Sequence, residues 1–399
     1  MNERIAYATL VGLVAYAAVA TDLYLPAIPA MVEDFGVSEA DGQLTLSVFM
    51  IGMAVGQLIF GPLSDFYGRL PVVTVGTIAF IGTSIACAFA PTMEFMWAAR
   101  LIQGLTAASG PVIARAIVRD RYHGNRAAQV MSMLGAAMAL VPLIAPTFGS
   151  WVLVLFHWRA TYVLLAIFGL SVLLGLRQFT ESAPAIGEGR IGILPVLKLF
   201  SAALSNSRFI GYQMSGTATY SGIHAYLSTV SFFMRDVFDV PPAYFGYAFA
   251  VSISGFMVGA LSCSRLVMRL GLNTTLTVGV IITLGATLVQ WWLAPQGQAA
   301  VTSLAISSFS VFFGIGLTSA NATMGAVSLF PKNSGAASAV YGCLHSIIAA
   351  GTGFVAGQLY DGTLIPTTSI MLVCAFVGLL GIPLARGALA GDANPTDAK

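Results

Sequence analysis

Stretches of about 20 apolar residues, the length of helix that crosses a bilayer core, recur along nearly the whole of this 399-residue chain. Composition agrees with lipid as their surroundings. Hydrophobic residues make up 57% of the chain and charged residues 9%, whereas soluble domains carry about 25% charged residues; mean hydropathy is +0.85. In hydrocarbon every backbone N–H and C=O must be satisfied within the segment or in a closed barrel, and the alternating pattern of a membrane barrel is absent. The fold class is therefore an all-α polytopic membrane protein, and soluble enzyme classes drop out.

A net charge of +2 without a basic patch interleaved with aromatics gives no footing for nucleic acid. Cys87, Cys263, Cys343 and Cys374 stand singly in apolar segments, without CxxC spacing or a histidine cluster, and read as small packing residues. No metal and no cofactor is expected. The first 30 residues mimic a signal peptide ending at Ala18-Val19-Ala20. However, the charged start holds only Arg4 against Glu3, and the apolar run continues as Leu23-Tyr24-Leu25, so an uncleaved first helix is expected.

Breaking the chain at charges and turn residues predicts twelve helices, near 5–29, 42–62, 71–90, 94–119, 127–152, 158–177, 206–234, 242–268, 274–293, 300–329, 335–357 and 366–386. They divide into a six-helix half over 1–177, a polar linker over 178–205 and a second half with a short tail over 206–399. The turn after the second helix and its counterpart SRLVMRLG, residues 264–271, share little beyond a basic residue and glycine. Lys and Arg test the count, because cytoplasmic loops carry them in excess. With both termini cytoplasmic, most of the 18 basic residues fall on the inner side, while the first outer loop, MVEDFGVSEAD at 31–41, is purely acidic. An odd number of spans would destroy that asymmetry.

Asp22 is the only one of the 16 acidic residues inside such a stretch. A carboxylate there is disfavoured by about 2.5 to 3.5 kcal/mol on insertion scales, which makes it a candidate for handling ions or substrate. Its place near the outer end of the first helix also allows a purely topological role. Arg100, near the outer end of the fourth helix, is the charged residue expected to neighbour it, and the distance between them decides whether Asp22 stays ionised or exchanges a proton. Arg100 itself must either face a partner or snorkel to the surface.

Several short strings, in order, carry a resemblance. GPLSDFYGR at 61–69 resembles the GxLaDrxGrrxxl loop of the major facilitator superfamily, with Phe66 and Leu70 where basic residues are common. RLIQG at 100–104 resembles that superfamily's RxxqG motif, and ALVPLIAPTFGS at 139–150 its drug and proton antiporter motif, with Ser150 in place of a second glycine. TDLYLPAIP at 21–29 and GAASAVYG at 335–342 look like the first and eleventh spans of the Bcr/CflA branch, the bicyclomycin, chloramphenicol and florfenicol type of exporter. The resemblance covers about residues 10–385. It implies a latch at Gly61, Asp65, Gly68 and Arg69, with Asp65 set against a neighbouring helix N-terminus. It also implies a bend and close packing at Pro142, Pro146 and Gly149. The residues themselves make Asp22 the expected proton carrier, with Arg100 the neighbour that would set where it titrates.

The function implied is a proton-coupled efflux antiporter of small amphipathic drugs in the bacterial inner membrane. The alternative is a proton-coupled transporter of a native metabolite, a sugar or a nucleoside. Tyr24, Tyr220, His224, Tyr226, Asn321, Tyr341 and His345 are candidate substrate contacts, since polar and aromatic groups in apolar helices suit a permissive pocket. Each fits core packing equally well, and the two histidines are alternative proton carriers. No catalytic cluster lies at a membrane face and the linker and tail are too short for a signalling domain, so neither an enzyme nor a receptor is expected. Drug-like substrate, protons and membrane lipid are the expected partners of a monomer.

Overall fold

The computed structural model describes residues 3–183, 193–331 and 334–387, and helix is the only regular structure among them. The first group of helices comprises α1 (Glu3–Asp22), α2 (Ile28–Phe35), α3 (Glu39–Tyr67), α4 (Arg69–Ala88), α5 (Met93–Ala107), α6 (Ser109–Arg121), α7 (Gly124–Leu155) and α8 (Trp158–Leu176). After α9 (Ile193–Leu204) come α10 (Ser207–Gln213), α11 (Thr219–Asp236), α12 (Phe245–Leu270), α13 (Leu272–Leu293), α14 (Val301–Ser328), α15 (Ser334–Leu359) and α16 (Ile365–Ala385).

Local chemistry sets many of the boundaries. Ser38 opens α3 with a capping box, its Oγ accepting from Asp41 N while the Asp41 carboxylate accepts from Ser38 N, so two orphan donors are answered. Thr92 and Asn206 cap α5 and α10 in the simpler way. The turns between α3 and α4 and between α12 and α13 both pivot on a glycine at positive φ, Gly68 at 96° and Gly271 at 78°, a conformation that side chains with a Cβ resist. The two turns thus keep the same backbone device although their sequences diverge.

Ten stretches of the described residues are long and apolar enough to cross a membrane. One of them, Leu272–Ser328, contains both α13 and α14, joined by a tight turn at Ala294–Ala300. The segment from Ser207 to Asp236 falls outside the ten. It is helical nonetheless, with a π turn at Met214–Ala218 between α10 and α11. Large apolar side chains such as Val75, Ile78, Phe156 and Ile306 are exposed, as a belt facing lipid requires.

The expected first helix is broken. Pro26 and Pro29 have no N–H to give to the carbonyls of Asp22 and Leu25, one turn earlier, so α1 ends at Asp22 and the chain passes through a 3-10 turn at Leu25–Ala27 before α2. The Leu25 carbonyl accepts from Ile28 N within that turn and, in addition, from Ser231 Oγ of α11 at 2.5 Å. The linker also differs from a purely polar segment, because α9 occupies residues 193–204 and packs on α3, α10 and α15. Its leucine, valine and phenylalanine spacing has helical period. The remainder of the linker, 184–192, and the tail, 388–399, lie outside the described residues.

Helices α1–α8 pack chiefly on one another, as do α10–α16, and the two groups meet along α3 against α15 and α7 against α12. On α15 the seam is made by small residues: a Cβ at Gly342 would strike Gln57, and one at Gly357 would strike Gln43. Glycine allows the backbones to close there.

Candidate functional site

Asp22 sits at the last residue of α1, immediately before the break, and is 5% exposed. Thr21 Oγ1 lies 3.0 Å from its Oδ1 and equally close to the Ala18 carbonyl, and a hydroxyl has one proton to give. Among the described residues no cation forms an ion pair with Asp22. Arg100, fully buried on α5, turns elsewhere. Its Nη1 donates to the Ala20 carbonyl at 3.0 Å and to Gln103 Oε1 at 2.6 Å, and its guanidinium lies 4.3 Å from the Tyr24 ring centroid and 4.4 Å from that of Phe49. The Ala20 carbonyl belongs to the last turn of α1, which the break leaves without a helical donor. Arg100 therefore caps the interrupted helix that carries Asp22 and does not neutralise the carboxylate.

Across the seam, Asp22 is within electrostatic reach of Tyr220 on α11. The Tyr220 ring lies 4.5 Å from that of His345 and 5.5 Å from that of His224, and Tyr341 lies 6.2 Å from His345. Thr217, in the π turn, places Oγ1 3.3 Å from His345 Nδ1 and accepts from Gln213 Nε2 at 2.8 Å. An extra residue per turn rotates the side chains that follow it, and π turns often mark functional positions. The structure thus brings together Tyr220, His224, Tyr341 and His345, with Asp22 within electrostatic reach of Tyr220.

The other candidate contacts go elsewhere. Tyr24 belongs to the Arg100 nest, with its hydroxyl 2.9 Å from Thr45 Oγ1. Tyr226 packs among Phe233, Phe249 and Phe312. The Asn321 amide donates to the Leu317 carbonyl at 2.8 Å and to Cys263 Sγ at 3.3 Å, tying α14 to α12. Gln57, Gln213 and Thr217 did not stand out in the sequence reading. The two glutamines carried a usable signal, an amide in the middle of an apolar helix; Gln57 donates across the seam to Ser346 Oγ at 3.0 Å.

Helix α7 runs unbroken through Pro142 and Pro146. Gly149 faces the break in the first span, where a Cβ would strike the Leu23 carbonyl. Ser150 Oγ donates to the Pro146 carbonyl at 2.9 Å and accepts from Gly246 N at 3.1 Å, at the start of α12. The hydroxyl that replaces a second glycine is therefore a tie between the two helix groups.

At the opposite end, Arg69 pairs with Asp65, meets Asp120 at 2.9 Å and donates to Ser64 Oγ at 2.8 Å. Asp65 does not occupy a neighbouring helix N-terminus; it is largely exposed. The N-terminus of α4 is taken by Glu181, whose two oxygens accept from the Arg69 and Leu70 amides at 2.9 Å each, next to Gly68. Burial opposes the Glu181 charge, but four backbone N–H groups, those of Ala183, Leu70, Arg69 and Ser182, outweigh it and hold the carboxyl below its ordinary 4.5. The sequence showed Glu181 only as one polar linker residue. Asp120, at the end of α6, is the second partner of Arg69.

The comparisons agree with this architecture. The Major Facilitator Superfamily model matches residues 9–353. A bicyclomycin resistance protein homolog of Haemophilus influenzae is 27% identical over 366 residues, covering 90% of each chain. Multidrug resistance protein D of Escherichia coli is 29% identical over 374 residues, covering 93% of this chain and 92% of that one. Among solved structures, the human organic anion transporter MFSD10 superposes with a TM-score of 0.71 at 19% identity, covering 96% of this chain and 100% of that one, a likeness of fold. With its helices, its loop at 61–69 and its interrupted first span accounted for, this chain is a multi-pass membrane transporter that belongs to the Major Facilitator Superfamily.

Proposed function

We propose that the protein is a proton-coupled antiporter that expels small amphipathic compounds, antibiotics among them, across the bacterial inner membrane by alternating access. The observation that carries this reading is Asp22: a buried acid at the broken end of a helix, with no counter-ion among the described residues and within electrostatic reach of Tyr220 of the other helix group. A group that loads and unloads a proton must be free of a permanent cation, and it must sit where motion of one helix group against the other changes its access to water. Asp22 meets both conditions. The aromatic and imidazole groups around Tyr220 offer stacking surface and a few hydrogen bonds to a substrate, as in permissive pockets. The names of the drug-resistance relatives favour drugs as the cargo.

This reading has the chain as a monomer of two six-helix halves, 1–177 and 206–399, linked through 178–205, with both termini inside. Ser207–Asp236 and the α13–α14 pair raise the ten apolar stretches to twelve spans. The proton gradient supplies the work, since a charge crossing 100 mV gains about 2.3 kcal/mol. Accumulation of a panel of drugs in cells with and without the protein tests it. Expression should lower accumulation of several of them and an uncoupler should abolish the difference; unchanged drug levels together with altered sugar or nucleoside export would favour the metabolite reading.

A further inference from the structure

The two helix groups repeat one packing device, and the repeat exposes a difference. Gly52 and Gly56 of α3 lie against the Leu101 and Leu105 carbonyls of α5, while Gly255 and Gly259 of α12 lie against the Phe309 and Phe313 carbonyls of α14. Matching these pairs sets Arg100 against Ser308 and Phe49 against Ser252. The positive-φ glycines Gly68 and Gly271 likewise set Cys87 against Gln290. Each group also places a tyrosine hydroxyl against a hydroxyl of the next span, Tyr24 on Thr45 at 2.9 Å and Tyr226 on Ser252 at 3.2 Å, though at different positions along that span.

In the first group this place is filled by the Arg100 side chain between Tyr24 and Phe49. In the second group two serines stand where the arginine and the phenylalanine were, and a cavity of about 200 Å³ remains, lined by Tyr226, Ser252, Gln290, Ser308 and apolar side chains such as Leu304 and Met371. No Asp, Glu, Lys or Arg lines it, so a charged occupant would lose its hydration without compensation. Gln290 is 4% exposed; its Nε2 donates to Ser308 Oγ at 2.8 Å, and its Oε1 has no partner and is covered by its neighbours, so that a ligand in the cavity reaches it only as the amide turns toward the cavity. A buried acceptor left unpaired is destabilising, and a ligand that donates to it removes that cost. Size is also informative, because an apolar cavity of about 150 Å³ accepts benzene.

We propose that this cavity is a second small-molecule site, separate from the Asp22 cluster, for a neutral ligand the size of a substituted benzene ring that bears one hydroxyl donor. The hydroxyl donates to Gln290 Oε1 and the ring lies on the apolar wall. Val251 and Val301 on its rim are exposed, which gives a way in.

The test uses the purified full-length chain in detergent with two probes followed by fluorine NMR, 3-(trifluoromethyl)phenol and its methyl ether, which has lost the donor. The phenol should bind saturably at one site and at least tenfold more tightly than the ether. Gln290→Leu should reduce the phenol to the level of the ether, and Ser308→Leu, which fills the space, should remove binding of both. Should Ser308→Leu fail to fold, competition on the wild-type chain decides: unlabelled phenol should displace the labelled probe to a plateau. Equal binding of phenol and ether, an unchanged phenol affinity in Gln290→Leu, or non-saturable uptake that only tracks the micelle would overturn the proposal.

Discussion

An arginine buried away from water and carboxylates is costly unless its charge and its donors are answered by other groups. For Arg100 the answers are the Ala20 and Thr45 carbonyls, met from Nη1 and Nε, the Gln103 amide oxygen and the faces of Tyr24 and Phe49, while Nη2 has no partner. Lysine offers neither the planar face for stacking nor two donors set apart, so Arg100→Lys should lower stability by about 2 kcal/mol, seen as a lower thermal midpoint in detergent. Transport should fall with it, because the end of α1 that presents Asp22 loses its cap. Glu181 gives a second test at this scale. Its carboxyl is held below 4.5 in the folded chain, so its contribution is present at neutral pH and is lost as pH falls through that lowered value. Exchange of the Arg69 and Leu70 amides, corrected for intrinsic rates, should be slow at pH 7 in the wild type, fast at pH 7 in Glu181→Ala, and in the wild type should rise only below about pH 4.5. Asp22 and Arg100 were both legible in the sequence as anomalies of burial. That they do not pair was not, because it depends on where the break in α1 leaves an unanswered carbonyl.

At the level of helices, the interrupted first span organises the site. Pro26 and Pro29 are plain in the sequence, and each denies a donor to a carbonyl one turn earlier. Which groups take over those carbonyls is settled only by packing, with Ser231 of α11 the side chain that reaches Leu25. Gly149 of α7 closes on the same break, and a methyl there would strike the Leu23 carbonyl. Gly149→Ala should therefore push α7 away from α1. Transport should drop at least tenfold while the amount of protein in the membrane stays near normal, read by flux against immunodetection; full activity would remove Gly149 from the account. The π turn at Met214–Ala218 lay beyond the reach of periodicity, and the helical period of α9 is hidden by its short length and the polar run beside it. A single inserted residue hardly disturbs an apolar pattern, and a short amphipathic helix beside a polar run is easily merged with it.

Across the whole molecule, the acidic loop between the first two spans has a partner that charge counting alone did not reveal. Arg235 at the end of α11 meets Glu39 at 2.7 Å and Glu33 at 3.5 Å, so the two helix groups are clasped at that end. These side chains are partly or largely exposed, and such pairs are worth about 1 kcal/mol at most. Arg235→Ala should shift the balance toward opening at that end by about fivefold and no more, measurable as a change in spin-label distance populations between α2 and α11. The fold class was legible in composition and in the spacing of apolar runs. The seam was not, since α3 meets α15 and α7 meets α12 through small residues distant in sequence.

The most direct measurement is proton movement in proteoliposomes holding the purified protein, recorded by an internal pH dye when a transported drug is added. The account predicts a substrate-dependent proton flux in the wild type that Asp22→Asn abolishes, although the variant still binds the drug. Flux of normal size in Asp22→Asn would contradict it.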